Sequence, residues 1–155
     1  MLGYGATTNF TITLASLATG SARESTAVVA VVGGTAYDDY MLQLSVGIST
    51  PTSAGDKSVY IWFAGSGDGT NYTEPATGSD AAITIGTNHN LFGPFTVAIN
   101  VGTNLYDVCI PSVAQFFGGV LPKKWNIIVE NQANGSLNGT EANFNKWFTP
   151  VFVTT

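Results

Sequence analysis

The chain has 155 residues, five basic against ten acidic, a formal net charge of -5, and 10% charged residues at a mean hydropathy of +0.21. This balance excludes an extended nucleic-acid face, which needs clustered Lys and Arg to displace counterions; the sequence offers one basic pair, Lys123-Lys124. One His and one Cys leave little material for acid–base or metal chemistry, and the length suits a single domain able to bury a sizeable core without a disulfide staple.

The first ten residues, MLGYGATTNF, carry no basic n-region and no long apolar run, so they do not read as a secretory signal. No stretch further on approaches the roughly 20 apolar residues that cross a bilayer. The chain is therefore expected to be soluble and made in the cytoplasm. Residues 1–10 are read as a flexible N-terminal arm, and 11–155 as one β-sandwich domain. An arm that carries Leu2 and Tyr4, spaced by Gly3 and Gly5, can order on a partner and bury those side chains.

Strand signals then follow one another. Residues 25–32 (STAVVAVV) are β-branched and stopped by Gly33-Gly34. Residues 40–48 alternate, with Leu42, Leu44, Val46 and Ile48 on one face and Gln43, Ser45 and Gly47 on the other; Pro51 ends the run. Residues 57–64 (KSVYIWFA) are apolar on both faces, as expected of a central strand covered on both sides. Residues 95–101 and 105–110 are separated by Gly102-Thr103-Asn104, a hairpin-length turn. The lone Cys109 lies in the second of these runs. It cannot close an intrachain disulfide and is predicted to be a buried, inert thiol.

The one plausible helix is short, 111–117 (PSVAQFF), ended by Gly118-Gly119. Residues 125–129 set Trp125, Ile127 and Val129 on one face, and 144–153 form the last strand, expected to bend or lie at an edge because of Pro150. Turn chemistry punctuates the rest: 65–71 (GSGDGTN), 78–80 and 132–139 (QANGSLNG). Seven or eight short strands with at most one short helix predict an all-β, antiparallel β-sandwich, with a jelly roll as its expected form.

The chemical candidates are weak. The acidic loops at Asp68 and Glu74 to Asp80 lack the alternating Asp/Asn series of a calcium loop and read as solvated turns. His89 has no partner for zinc or for a catalytic triad. Asp38 and Asp39 are adjacent, so on a strand they point to opposite faces and cannot serve as a carboxylate pair. Tyr60, Trp62, Trp125 and Trp147 suit a core better than a sugar platform, with a Trp N–H finding a partner. The sequons at Asn9, Asn71, Asn134 and Asn138 arise readily in an Asn/Thr/Ser-rich chain. No catalytic, cofactor or metal site is expected, and no enzyme.

Two segments, 14–29 (LASLATGSARESTAVV) and 116–131 (FFGGVLPKKWNIIVEN), resemble small structural proteins of tailed-bacteriophage virions, and the turns at Asp68 and at Thr77 to Ala82 fit the same pattern. The resemblance implies a capsid decoration, or cement, protein that binds the outer surface of the major capsid protein shell. It also implies self-association, as a homotrimer placed at a symmetry axis through edge strands. Leu2, Tyr4 and Phe10 are the expected shell contacts, with no membrane or nucleic-acid partner. The alternative is a tail- or fibre-associated module that binds host-surface carbohydrate.

Overall fold

A computed structural model describes residues 1–32, 35–49, 58–99 and 105–153. Gly33-Gly34, residues 50–57 with Pro51 and Lys57, and the turn Gly102-Thr103-Asn104 lie outside these. The strands are β1 (Leu2–Tyr4), β2 (Thr8–Asn9), β3 (Ser21–Glu24), β4 (Val28–Val29), β5 (Val31–Val32), β6 (Thr35–Ala36), β7 (Asp39–Val46), β8 (Ser58–Ser66), β9 (Ala81–Ile83), β10 (Phe92–Ala98), β11 (Tyr106–Ile110), β12 (Lys124–Asn131) and β13 (Lys146–Val153). Two 3-10 turns, Ala114–Phe117 and Glu141–Asn143, are the helical content among the described residues.

The first sheet runs β1-β13-β7-β11, with β2 also on β13; the second runs β10-β8-β12-β3-β9, with β4 also on β12. All pairs are antiparallel. β1 and β2 are successive segments along one flank of β13, and β3 and β4 along one flank of β12. Counting each as one interrupted strand leaves eight positions, with β9 as an added edge. The first position then pairs with the eighth, the second with the seventh, the third with the sixth and the fourth with the fifth. That is a long two-stranded ribbon rolled into two sheets, the jelly roll predicted from the turn spacing. Eleven strands in the two sheets exceed the seven or eight expected, because the edges are broken by loops. A small ribbon, β5–β6, stands apart.

The core lies between the sheets. Tyr40, Leu42, Leu44 and Val46 of β7 face Val59, Ile61 and Phe63 of β8 and Trp125, Ile127 and Val129 of β12, all buried. The period-2 reading of β7 and β12 holds. The two-sided burial of β8 holds in part. Its outer face is covered by the segment 67–91, where Ala76 and Leu91 join Ala64 and Ile128 in a second cluster under Trp62, Tyr72, Ile83 and Ile85.

Several expectations are corrected. β10 and β11 do not form a hairpin: β10 pairs with β8 and β11 with β7, because in a rolled ribbon this connection crosses between sheets. Residues 25–32 are split into β4 and β5, and β3 precedes them. β13 is an interior strand despite Pro150. The Gly5 N–H donates to the Pro150 carbonyl at 2.9 Å, so the proline's nitrogen also faces the outer flank, where the edge is interrupted between β1 and β2 and needs no donor. Residues 1–10, read as a free arm, form that edge.

Candidate interaction surface

Cross-strand register assigns the outer face of the first sheet row by row, with Val151 and Ser45 buried within it. Leu2 lies beside Val153; Tyr4 beside Val151 and Asp39; Thr149 beside Met41; Asn9 beside Trp147, Gln43 and Cys109; and Ser45 beside Asp107. Leu2, Tyr4 and Val153 are 55%, 57% and 63% exposed, unusual for neighbouring large apolar side chains. They make an apolar strip at the β1–β13 corner. Next to it, Thr7, Met41, Gln43, Trp147, Thr149 and Cys109 line a hollow of about 270 Å³.

The charges on this face are held at its margin. Asp39 Oδ1 accepts the N–H groups of Tyr40 and Ala114 at 2.7 and 2.8 Å, which ties β7 to the 3-10 turn. Asp107 accepts the Ser45 hydroxyl and, at 3.4 Å, the Asn145 amide. Asp38 turns to a different task, accepting the Val153 N–H at 2.8 Å. The two adjacent carboxylates thus cap separate elements, Asp38 from the bend before β7 and Asp39 from the first residue of β7.

Of the three expected contacts, the structure brings Leu2 and Tyr4 together on this strip. Phe10 does not join them. It is 6% exposed and lies in the core, because the chain has by then passed from the sheet edge to the space between the sheets. Phe10 forms part of a different feature, a cleft of about 390 Å³ between β2 and β4 with Tyr37, Tyr40 and Phe148 in its wall. Cys109 is also corrected: Val108 and Ile110 take the core side of β11, leaving the thiol exposed.

The aromatic set does not form one platform. Trp125 is in the core, its Nε1 without a hydrogen-bond partner among the described residues. Trp147 is on the first sheet's outer face, and Tyr60 with Trp62 on the second's. There Trp62 Nε1 donates to Glu130 at 2.8 Å, and Gln132 donates to the other Glu130 oxygen at 2.6 Å. Tyr60 and His89 meet the Trp62 ring edge-to-face at 6.4 and 4.6 Å. This small cluster of rings, carboxylate and amide was missed because its members come from β8, β12 and a loop; only the register joins them.

The acidic loops are occupied by their own turns. Asp68 accepts from the Thr70 and Asn71 N–H groups, the Asn71 amide and the Ser66 hydroxyl, which hold its carboxyl far below the ordinary range. Asp80 is engaged by Thr13 and Arg23. No group of three or more metal-ligating side chains converges among the described residues.

No family model matches the chain, and neither the curated proteins nor the solved structures contain a match.

Proposed function

We propose that this chain is a non-enzymatic decoration protein of a tailed-phage virion, docking on the major capsid protein shell through the outer face of its first sheet. One observation carries the reading: the exposed strip of Leu2, Tyr4 and Val153 beside the hollow at Trp147, on a sheet whose other face is a filled core. Apolar side chains held on a rigid sheet lose little freedom on docking, so more of their burial appears as affinity. Binding to the assembled shell but not to its dissociated parts stabilises the shell by mass action. Repetition over a symmetric lattice lets a modest interface suffice. The net charge of -5 suits an outer surface away from packaged DNA.

The test is co-sedimentation of the purified chain with expanded heads that lack it, alongside the double variant Leu2→Ser, Tyr4→Ser. Saturable pelleting is expected, weakened roughly tenfold or more in the variant, since the loss of two well-packed contacts costs about 1–3 kcal/mol. Absence of pelleting, or equal pelleting of the variant, overturns the reading. Deletion of residues 1–9 is the poorer test, because it also strips β1 and β2 from β13.

A carbohydrate-binding role on a tail or fibre has its own support in the Tyr60, Trp62, Glu130 and Gln132 cluster, which joins ring faces to a held carboxylate and an amide. Quenching of tryptophan fluorescence by host-surface glycans, abolished by Glu130→Ala, would favour it over decoration.

A further inference from the structure

Among the described residues, the edge that β1 gives the first sheet differs from the other sheet edges. At the far side of that sheet, β11 carries the exposed Asp107 at its second position. In the second sheet, β10 carries Pro94 and a register break between Phe92 and Phe95. β9, three residues long as β1 is, begins beside Asp80. Just before β4, the Thr26 and Ala27 N–H groups donate to Thr11 and Gly78, and the Val29 carbonyl of β4 accepts the Tyr40 hydroxyl. Charge, proline and bulges are the usual devices that keep edges from pairing. β1 has none of them: residues 2–10 contain no Asp, Glu, Lys, Arg or Pro, and the irregularity of this edge falls after Tyr4.

The direction of its main-chain groups follows from the ladder. Gly5 N–H donates to the carbonyl of Pro150, the residue opposite it, at 2.9 Å, so Gly5 belongs to a hydrogen-bonded pair. Pair type alternates along an antiparallel ladder. Gly3, opposite Phe152, therefore also turns its N–H and C=O to β13, while Leu2 and Tyr4 turn theirs outward. The other flank agrees: the carbonyl of Val151, opposite Tyr4, accepts the Asp38 N–H at 2.9 Å on the β7 side.

We propose that β1 pairs antiparallel with β1 of a second copy of this chain, about a two-fold axis at Gly3. In that register Leu2 faces the partner copy's fourth residue and Tyr4 its second, both as hydrogen-bonded pairs, so all the outward N–H and C=O groups of Leu2 and Tyr4 are satisfied. The register is self-complementary, as a two-fold contact between copies requires. Gly3 sits on the axis, where the two backbones approach most closely. Its inner side is already covered by the Phe152 ring, which a Cβ would meet at 2.6 Å, so this edge glycine is screened by an aromatic. Each copy carries a net charge of -5, and residues 2–10 add no charged side chain to this edge. Side chains stay on the outer face, where Leu2 and Tyr4 form cross-strand pairs flanked by Val151 and Val153. The apolar strip is thereby doubled across the axis. A two-fold position on a shell then replaces the expected trimer; that placement rests on the decoration reading, and the pairing itself does not.

Sedimentation equilibrium of the full chain, in reductant because Cys109 is exposed, tests this without any shell. A monomer–dimer equilibrium is expected between about 1 and 100 µM, in the range of small transient interfaces. Tyr4→Pro removes an outward N–H and leaves the β13 ladder intact, and Leu2→Lys adds like charges close to the axis. Each is expected to weaken the dimer roughly tenfold or more with unchanged far-UV circular dichroism. A wild-type monomer throughout, a trimer, or an undiminished dimer in whichever variant is folded would overturn the pairing. Failure of shell binding with the dimer present would instead count against decoration alone.

Discussion

Three carboxylates do at the residue scale what the sequence did not advertise. Glu24 is fully buried and accepts from the Thr77 N–H and hydroxyl, the Gly78 N–H and the Asn126 amide, which anchors the segment that roofs the second sheet. Glu141 accepts the Leu14 and Ala15 N–H groups and is paired with Lys146. Replacing Glu24 with Ala strands several buried donors, so urea unfolding should show a loss of about 3 kcal/mol or more. Asp80 joins Asp68 as a source of acid sensitivity. Burial pushes its carboxyl up, but hydrogen bonds from Arg23 and Thr13, with the guanidinium charge, outweigh that and hold it below its ordinary value. A carboxyl depressed on folding contributes stability above its unfolded pKa, lost as pH falls through the folded one. Stability should therefore drop below about pH 4, and Asp80→Asn should flatten that drop while costing about 1 kcal/mol at neutral pH. Thermal midpoints against pH for both proteins check this.

At the scale of elements, alternation was legible where a strand has one wet face or lies in the middle of a sheet. β7, β8 and β12 could be read this way because their core residues recur at period 2. The short 3-10 turn with Gly118 in the left-handed region at its end was also legible from Gly118-Gly119. The broken edges were not: β1, β2 and β3, of three, two and four residues, are too short to show a period, and register alone defines them. The supposed hairpin of β10 and β11 failed for a related reason. A short turn constrains the distance between two strand ends, not which sheet each strand joins. Gly78 is the element-scale control. It has φ +77, and a Cβ there would meet the Tyr72 ring at 2.5 Å, whereas a Cβ on Gly118, at φ +74, would meet nothing within 4 Å. Gly118→Ala should cost about 1 kcal/mol for the left-handed backbone, and Gly78→Ala clearly more, as measured by denaturant midpoints.

Over the whole molecule, the rolled ribbon sets the termini side by side, Leu2 against Val153, and so builds the apolar corner from residues 151 positions apart. The same roll lays Tyr60 and Trp62 near Glu130 on the opposite face. Neither surface is a local property of the chain, and the two proposed roles divide between them. Composition and patterning, by themselves, determined an all-β sandwich, because residue preferences and period-2 patterning act locally and survive without knowledge of the partners. The sequence also singled out Leu2 and Tyr4. Tertiary structure alone decided that Phe10 is core, that Cys109 is exposed, and that β1 is an unguarded edge. Those outcomes depend on which strand lies next to which and on which face a register exposes, and both are fixed by pairing between segments far apart in the chain.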